Sequence, residues 1–240
     1  MGRRISAKLP DGTILSPSYG RAEKATVRNV LPSCNLVVPK SQKDAYEAIH
    51  GPENVIAVAD GKDGNIGKKR NACLELFEDG ETFGMVDDDF KGFFHVKTGD
   101  PVKCSESILE SVIQLIQHTD IVFGGWNNTS DPMKVADFKP FSLTKQFYGA
   151  VVIKKTRLRY PNWQRFEDSD YFLQVVSEFR RVFRDNRYCI KVNDPSGGIN
   201  GDESKHAKDS TKLVNKWGTK LITRENTGAV KAVRTPLKGP

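Results

Sequence analysis

The chain has 240 residues, of which 38% are hydrophobic and 28% are charged, a balance typical of one large soluble domain or at most two small ones. No apolar run approaches the length of a membrane span, and the first residues lack the apolar core of a signal peptide. We therefore expect a cytoplasmic protein with no membrane partner. The 37 basic residues outnumber the 30 acidic ones, for a net charge of +7, which favours a polyanionic partner, with nucleic acid first. The four cysteines are far apart and form no C-x-x-C pair, which predicts reduced thiols rather than a zinc site.

A strand–helix–strand unit is predicted to open the folded domain. Residues 1–32 carry scattered basic side chains without a helical period, and we interpret them as a basic N-terminal arm. The apolar run 35–39 predicts a buried parallel strand, 41–50 a helix and 55–59 a second strand. Ligands of such units bind at the carboxyl ends of the strands. Pro39 and Asp60 stand at those ends and are candidate ligand-binding residues.

A glycine loop with basic residues follows at 61–71. Its glycines lead into a helix whose first turns hold Lys68, Lys69 and Arg70. Cations at a helix N-terminus oppose the helix dipole, a local conflict that a bound phosphate would resolve. Gly67, Lys69 and Arg70 are therefore candidate phosphate-binding residues. The loop lacks the Gly-Lys-Ser/Thr ending of a Walker A motif.

The apolar run 82–86 ends abruptly in three consecutive carboxylates, Asp87, Asp88 and Asp89. Adjacent anions repel one another, so a strand that ends in them favours a cation at that place. Mg²⁺ or Mn²⁺ fits best, because these hard ions take oxygen ligands and leave positions open for substrate phosphates. An acidic loop on the solvated surface is the alternative interpretation.

The second half of the chain supplies further polar and aromatic candidates. A helix is predicted at 105–118, a strand at 121–126 that ends in Trp126, and a polar loop at 127–138 suited to face a substrate. A strand at 147–153 precedes a basic cluster. A later helix opens on three acids that could be simple N-terminal caps or catalytic groups, although three are more than one cap needs. A last core strand is predicted at 188–192, a flexible glycine segment at 195–201, a helix at 210–217 and a basic tail at 221–240. The candidates in this half are Lys154, Lys155, Arg157, Tyr160, Trp163, Glu167, Asp168, Lys205 and His206.

This order of parts resembles the GT-A fold of nucleotide-sugar glycosyltransferases. The points of match are the strand–helix–strand start, the glycine loop with its basic helix, the aspartate triplet at a strand end, the later Phe166-Glu167-Asp168, and a late Gly-Gly followed by His206. The resemblance implies a single Rossmann-like α/β domain over residues 33–220, with a mostly parallel central sheet flanked by helices. Within that fold, the size and charge look most like the phage and kinetoplastid TET/JBP-associated enzymes, which glycosylate hydroxylated pyrimidines in DNA. A phage enzyme would act in the host cytoplasm.

The resemblance also implies roles for individual residues. Asp87 and Asp89 match the outer positions of the metal-binding aspartate motif, and His206 matches the histidine that completes the metal shell. Asp168 matches the catalytic base of inverting members, with Glu167 in reserve. The UDP-sugar donor falls to Pro39, Asp60, Gly67, Lys69, Arg70, Asp88 and Lys205. The triplet is unbroken, whereas the family motif has a neutral centre, so Asp88 is either a ligand or structural.

A hydroxylated base in DNA is the expected acceptor. Stacking and phosphate contacts are expected from Trp126, Tyr160, Trp163, Phe93, Lys154, Lys155 and Arg157. Two other interpretations stay open: a GT-A enzyme that acts on a glycan, lipid or protein, and a non-catalytic nucleic-acid-binding domain. Nothing in the sequence implies a protein partner.

Overall fold

The computed structural model describes residues 9–128, 139–192, 203–224 and 230–235. The helices of this part are α1 (Lys43–His50), α2 (Ile66–Leu74), α3 (Ser105–Gln117), α4 (Glu167–Phe179) and α5 (Glu203–Trp217). The strands are β1 (Ile14–Pro17), β2 (Asn35–Pro39), β3 (Val55–Val58), β4 (Thr82–Val86), β5 (Phe90–His95), β6 (Phe123–Asn127), β7 (Phe141–Ser142), β8 (Ala150–Lys154), β9 (Phe183–Val192), β10 (Ile222–Arg224) and β11 (Val230–Val233). Within these ranges, no helix is both long and apolar enough to cross a membrane.

A mixed sheet forms the centre of the fold, in the order β3-β2-β1-β4-β8-β6-β9-β5, with β7 added beside β9. Strands β1, β2, β3 and β4 are mutually parallel. Strand β8 runs against both β4 and β6, and β6 is parallel to β9. The predicted α/β class is therefore confirmed: the sheet is mostly parallel and is flanked by helices.

Each face of the sheet buries its own apolar cluster. Helices α2 and α4 pack on one face, where Phe77 stacks on Phe83 with ring centroids 4.1 Å apart. Helices α1 and α3 pack on the other face, around buried residues such as Tyr46 and Leu109. Helix α3 has the predicted spacing of apolar residues. This double covering explains why the strands of the sheet are apolar runs rather than alternating patterns.

The expected basic arm is wrong for the part of residues 1–32 that the structure describes. Residues 14–17 form β1, which pairs with β2 on one side and β4 on the other and therefore lies inside the sheet. Its four residues are all buried. The run is too short for a periodic pattern, and its apolar character is limited to Ile14 and Leu15, so only long-range pairing identifies it.

The C-terminal boundary also differs from the prediction. Strands β10 and β11 pair in an antiparallel hairpin within the expected tail, and Ile222 is buried in the core. Residues 90–95, for which the sequence analysis predicts no strand, form β5, which is paired with β9. The glycine segment 195–201 and most of the loop 127–138 lie outside the described residues.

Candidate active site

A pocket with a volume of about 610 Å³ opens at the carboxyl edge of the sheet, between the ends of β1 and β4 and the start of α2. Parallel strands deliver their following loops to one edge, which is why residues distant in sequence meet there. The pocket is lined by Pro17, Ser18, Tyr19, Arg21, Asp63, Gly64, Asn65, Ile66, Lys69, Arg70, Asp87, Asp88, Asp89 and Gln164. The aspartate triplet and the basic helix of the sequence prediction thus face one cavity.

The three aspartates differ in their partners. Asp87 accepts from the Arg70 guanidinium at 3.2 Å and leaves 36% of its side chain exposed. Asp89 lies 3.5 Å from Arg21. Asp88 is buried, with its carboxylate 3.0 Å from Arg21 and hydrogen-bonded to the Ser18 hydroxyl at 2.5 Å. All three carboxylates therefore pair with an arginine, but the outer two remain more exposed to the pocket than Asp88, which Ser18 also binds.

Asp88 anchors the loop that follows β1. Ser18 shares its hydroxyl between Asp88 and the Tyr46 phenol, 2.7 Å away on α1. The backbone N–H of Arg21 also donates to that phenol, at 3.0 Å. A buried carboxylate is stable only when such partners satisfy it, and burial raises the pKa of Asp88. The network fixes the wall of the pocket that carries Tyr19, an exposed aromatic.

The start of α2 is held close to the segment before α4. Asn65 caps the helix by accepting from the Lys68 N–H at 2.8 Å. A Cβ at Gly67 would stand 1.9 Å from the Pro161 carbonyl oxygen, so only glycine fits there. Lys69 is buried, and its ammonium donates to the Ser18 carbonyl at 2.6 Å and to Asp63 at 2.8 Å. Lys69 thus ties α2 to the loop after β1.

Arg70 links the triplet to the acids of α4. Its buried guanidinium lies 3.2 Å from Asp87 and 3.5 Å from Glu167. Glu167 is itself buried, which raises its pKa, while the charge of Arg70 opposes that rise. Phe166, just before the helix, adopts a left-handed backbone with φ 61°, a strained conformation for a non-glycine residue that is common near functional sites. Asp168 follows and is only partly buried.

The carboxylates on the acidic side of the pocket are the candidates for a cation site. Desolvation raises the pKa of Asp87 to about 6, Arg70 lowers it, and the charges of Asp89 and Asp88 raise it again. Among the described residues, no group of three or more His, Cys, Asp or Glu side chains is arranged to hold a metal alone. A donor set of two carboxylates, Asp87 and Asp89, fits a Mg²⁺ or Mn²⁺ ion that takes its other ligands from water and substrate phosphates.

Three expected donor-binding residues, Pro39, Asp60 and Gly67, do not line the pocket. Pro39 ends β2 and Asp60 follows β3, the two strands farther from β4. Asp60 accepts from both the N–H and the hydroxyl of Ser41, at 2.9 and 2.8 Å, and these hydrogen bonds lower its pKa. Asp60 therefore ties the end of β3 to the turn after β2. The side chains of Lys205 and His206, at the start of α5, lie outside the described residues.

The expectation that Trp126, Tyr160 and Phe93 stack on an acceptor base is wrong, because all three are buried. Trp126 packs against Phe93, with ring centroids 4.5 Å apart. Tyr160 stacks on Tyr171 at 4.2 Å beneath the Arg70 guanidinium. Tyr160 and Tyr171 belong to the apolar cluster beneath Arg70, whereas Trp126 and Phe93 belong to the cluster on the opposite face of the sheet. Trp163 is partly buried against the cluster that contains Tyr160.

The basic cluster after β8 lies at the wrong edge to serve the pocket. Strand β8 is antiparallel to β4, so Lys154 pairs with Thr82 at the start of β4 rather than with its carboxyl end. Lys154 donates to the Thr119 carbonyl at 2.7 Å and Lys155 to the Phe77 carbonyl at 2.5 Å. Arg157 is exposed but pairs with Glu178 at 3.2 Å. These three side chains therefore lie away from the pocket, and their contact with DNA phosphates stays a prediction.

Other pocket residues were missed by the sequence prediction. Ser18, Tyr19 and Arg21 belong to the supposed arm, and Gln164 precedes α4. Tyr19 places its ring 4.9 Å from the Lys69 ammonium. The sequence signals for the first group were weak: a short apolar run just before it, Ile14-Leu15, and the basic side chain of Arg21, which could contact a phosphate or be solvated.

The fold and the pocket define a class of protein. It is an α/β protein whose candidate ligand site lies at the carboxyl ends of the strands and contains both acidic and basic side chains. The family model of the TET-associated glycosyltransferases matches residues 13–198, and the chain belongs to that family. The match begins at the residue before β1, in agreement with the place of that strand inside the sheet. No curated protein matches the chain.

Proposed function

We propose that this glycosyltransferase moves a sugar from a UDP-sugar to the hydroxyl of a hydroxylated pyrimidine in DNA, with the help of Mg²⁺ or Mn²⁺ and with inversion at the sugar carbon. The observation that carries the proposal is the single pocket in which Asp87, Asp89 and Arg70 converge with the start of α2. We also propose that the domain, with β1 as part of its sheet, has the GT-A fold. The order of parts along the chain and the site at the end of β4 support this.

The donor half of the site is assigned to the side of the pocket near β1. Tyr19 offers an exposed ring on which the uracil of the donor can stack. Arg70 offers a buried cation beside the diphosphate position, where charge develops as the sugar–phosphate bond breaks. A divalent ion held by Asp87 and Asp89 would add positive charge to the same leaving group. Asp88 and Lys69 keep this wall rigid and need not touch the donor.

Asp168 is the proposed general base for the acceptor hydroxyl. It is only partly buried, whereas Glu167 beside it is buried and paired with Arg70. A base must reach the proton that it removes, so the accessible acid suits the role better. We assign Glu167 the task of positioning Arg70. A single carboxylate base on the acceptor side is the arrangement needed for direct displacement with inversion.

A DNA acceptor is supported by the net charge of +7 and by the resemblance to enzymes that glycosylate hydroxylated bases. Phosphate contacts supply much of the affinity of such proteins for DNA. A base inside a duplex must leave the stack before its hydroxyl can reach an enzyme base. The acceptor is therefore expected as a flipped nucleotide or in a single strand.

The test is a donor and acceptor screen. Purified protein is incubated with Mn²⁺ or Mg²⁺, a panel of UDP-sugars, and DNA with or without hydroxylated pyrimidines, and the nucleosides are identified by mass spectrometry. Asp89→Asn is the inactivating variant. Asp120→Asn is the matched control, because Asp120 is exposed, pairs with Arg181 and precedes β6 at the opposite edge of the sheet.

A sugar mass on hydroxylated bases alone, lost in Asp89→Asn and on chelation but retained in Asp120→Asn, is the expected result. Release of UDP with unchanged DNA would contradict the acceptor and direct the search to glycans, lipids or proteins. Absence of turnover with every donor, in a folded sample, would contradict the assignment of a UDP-sugar.

A further inference from the structure

Tyr148 is an exposed aromatic on the side of the triplet opposite Tyr19. Strand β4 has β1 as one neighbour and β8 as the other. Since β8 is antiparallel, its start lies where β4 ends: Ala150 pairs with Val86, and the N–H of Asp87 donates to the Gly149 carbonyl at 2.8 Å. Tyr148 therefore stands one residue from a direct backbone contact with the acidic site, yet its side chain is 48% exposed.

The backbone around Tyr148 is held from several directions. Asn128, just after β6, exchanges two hydrogen bonds with it: its amide donates to the Tyr148 carbonyl at 2.5 Å and accepts from the Tyr148 N–H at 3.0 Å. Gln146 donates to the Ser169 hydroxyl at 2.8 Å and so joins the segment to α4. Phe147 is buried against Phe123. A fixed backbone that presents an exposed ring suits a binding contact, because little freedom remains to be lost on binding.

The segment that carries Tyr148 is held close to the start of α4, which contains the proposed base. Gln146 contacts the residue that follows Asp168. Partial desolvation, and after it the charge of Asp168, raise the pKa of Tyr148, so the phenol stays neutral at physiological pH. The ring thus offers an uncharged, flat surface on a segment that joins the end of β4 to the start of α4. This combination fits a flat heterocycle that carries a hydroxyl group.

We propose that Tyr148 forms the wall of the acceptor subsite and stacks on the pyrimidine whose hydroxyl is presented to Asp168. This inference rests on the proposed function and adds to it the residue that selects an aromatic acceptor. Tyr19 and Tyr148 then divide the work across the triplet: the first contacts the donor nucleoside and the second contacts the acceptor base. Stacking on an aromatic side chain does not by itself distinguish one base from another, because every base has a π face.

The experiment measures acceptor KM with an oligonucleotide that carries a hydroxylated pyrimidine, at saturating UDP-sugar, and measures donor Kd by calorimetry. Tyr148→Ala is expected to raise the acceptor KM about 5- to 150-fold, the range found when a stacking aromatic is truncated, with unchanged donor Kd. Tyr148→Phe keeps the ring and is expected to stay within about twofold of the wild type. Tyr19→Ala should show the reverse pattern, with a weaker donor Kd.

Phe141→Ala is the matched control, since Phe141 is similarly exposed at 47% but packs on Phe183 in β9. It should leave both constants unchanged, and thermal unfolding checks that every variant is folded. An acceptor KM for Tyr148→Ala within twofold of a wild type that does modify DNA would overturn the inference alone. A wild type that releases UDP without modifying DNA would instead contradict the acceptor of the proposed function, and the stacking role would fall with it.

Discussion

Gly67→Ala should damage this protein more than any ordinary glycine substitution at a helix start. The added Cβ would stand 1.9 Å from the Pro161 carbonyl oxygen and 3.0 Å from its carbon. To reach an ordinary contact of 3.4 Å, α2 and the 161–163 segment must separate by about 1.5 Å. Neither side can yield easily, because Asn71 binds both the N–H and the carbonyl of Tyr160, at 2.9 and 2.8 Å.

The size of the effect follows from two opposing contributions. Overpacking costs about 1–3 kcal/mol, and the upper end applies here because the blocking atoms belong to the backbone. The helix preference of alanine over glycine returns about 0.8–1 kcal/mol. A net loss of about 2 kcal/mol lowers the Tm of a chain of this length by roughly 4–8 °C. Displacement of Lys69 and Arg70 by about 1 Å should also cost up to about 10²-fold in sugar transfer.

The assay is thermal unfolding by circular dichroism, with urea unfolding as a second measure, on Gly67→Ala and on Gly61→Ala. Gly61 belongs to the same loop, but no atom lies within 4 Å of its would-be Cβ. Its variant is expected to keep the wild-type Tm to within about 2 °C, since it neither clashes nor requires a glycine conformation. Equal Tm values for the two variants would refute the close approach of α2 to the 161–163 segment.

Three further changes test other parts of the structure. Asp170→Asn should lower the free energy of unfolding by about 1.5–3 kcal/mol. The reason is that the buried Asp170 accepts from Trp217 at 2.7 Å and from Lys216 at 2.8 Å, and so binds α5 to α4. An unchanged urea midpoint would show that α5 is held by other contacts. In metal-free protein with EDTA, the raised pKa of Asp87, about 6, means that the folded state binds this proton more tightly than the unfolded state. The free energy of unfolding should therefore fall as pH rises from about 4 to about 6, and Asp87→Asn should flatten that slope; parallel slopes in the two proteins would contradict the assignment. Arg70→Lys should reduce sugar transfer at least about 10-fold, since an ammonium cannot bridge two carboxylates as the planar guanidinium does. A kcat equal to that of the wild type would contradict a role of Arg70 in sugar transfer.

Much of the architecture was predictable from local patterns. The apolar runs that became β2, β3 and β4, and the helical period of α3, are signals carried within one stretch of chain. The aspartate triplet and the basic start of α2 were recognisable for the same reason, because each is a local conflict of charge that a ligand would relieve. The pocket indeed brings Asp87, Asp89 and Arg70 together.

Side-chain exposure was the least predictable property of the site. Tyr160 and Trp126 were predicted from the sequence to be accessible to a substrate, yet both are buried. Tyr148, preceded by an ordinary apolar neighbour, turned out to be exposed. Whether a ring is exposed depends on side chains that pack on it from distant elements, as Tyr171 packs on Tyr160.

The sequence by itself determined the α/β class, the order of most elements and the chemistry of the acidic and basic groups, because these depend on residue type and short-range spacing. Tertiary structure alone decided strand direction and strand neighbours. It inserted β1 between β2 and β4 and so brought Tyr19 and Arg21 to the pocket. It reversed β8 and so carried Lys154 away from the site while bringing Tyr148 to it. Hydrogen bonds between strands are made by the backbone, which carries the same donor and acceptor in every residue type except proline. For this reason no local pattern records which strands pair.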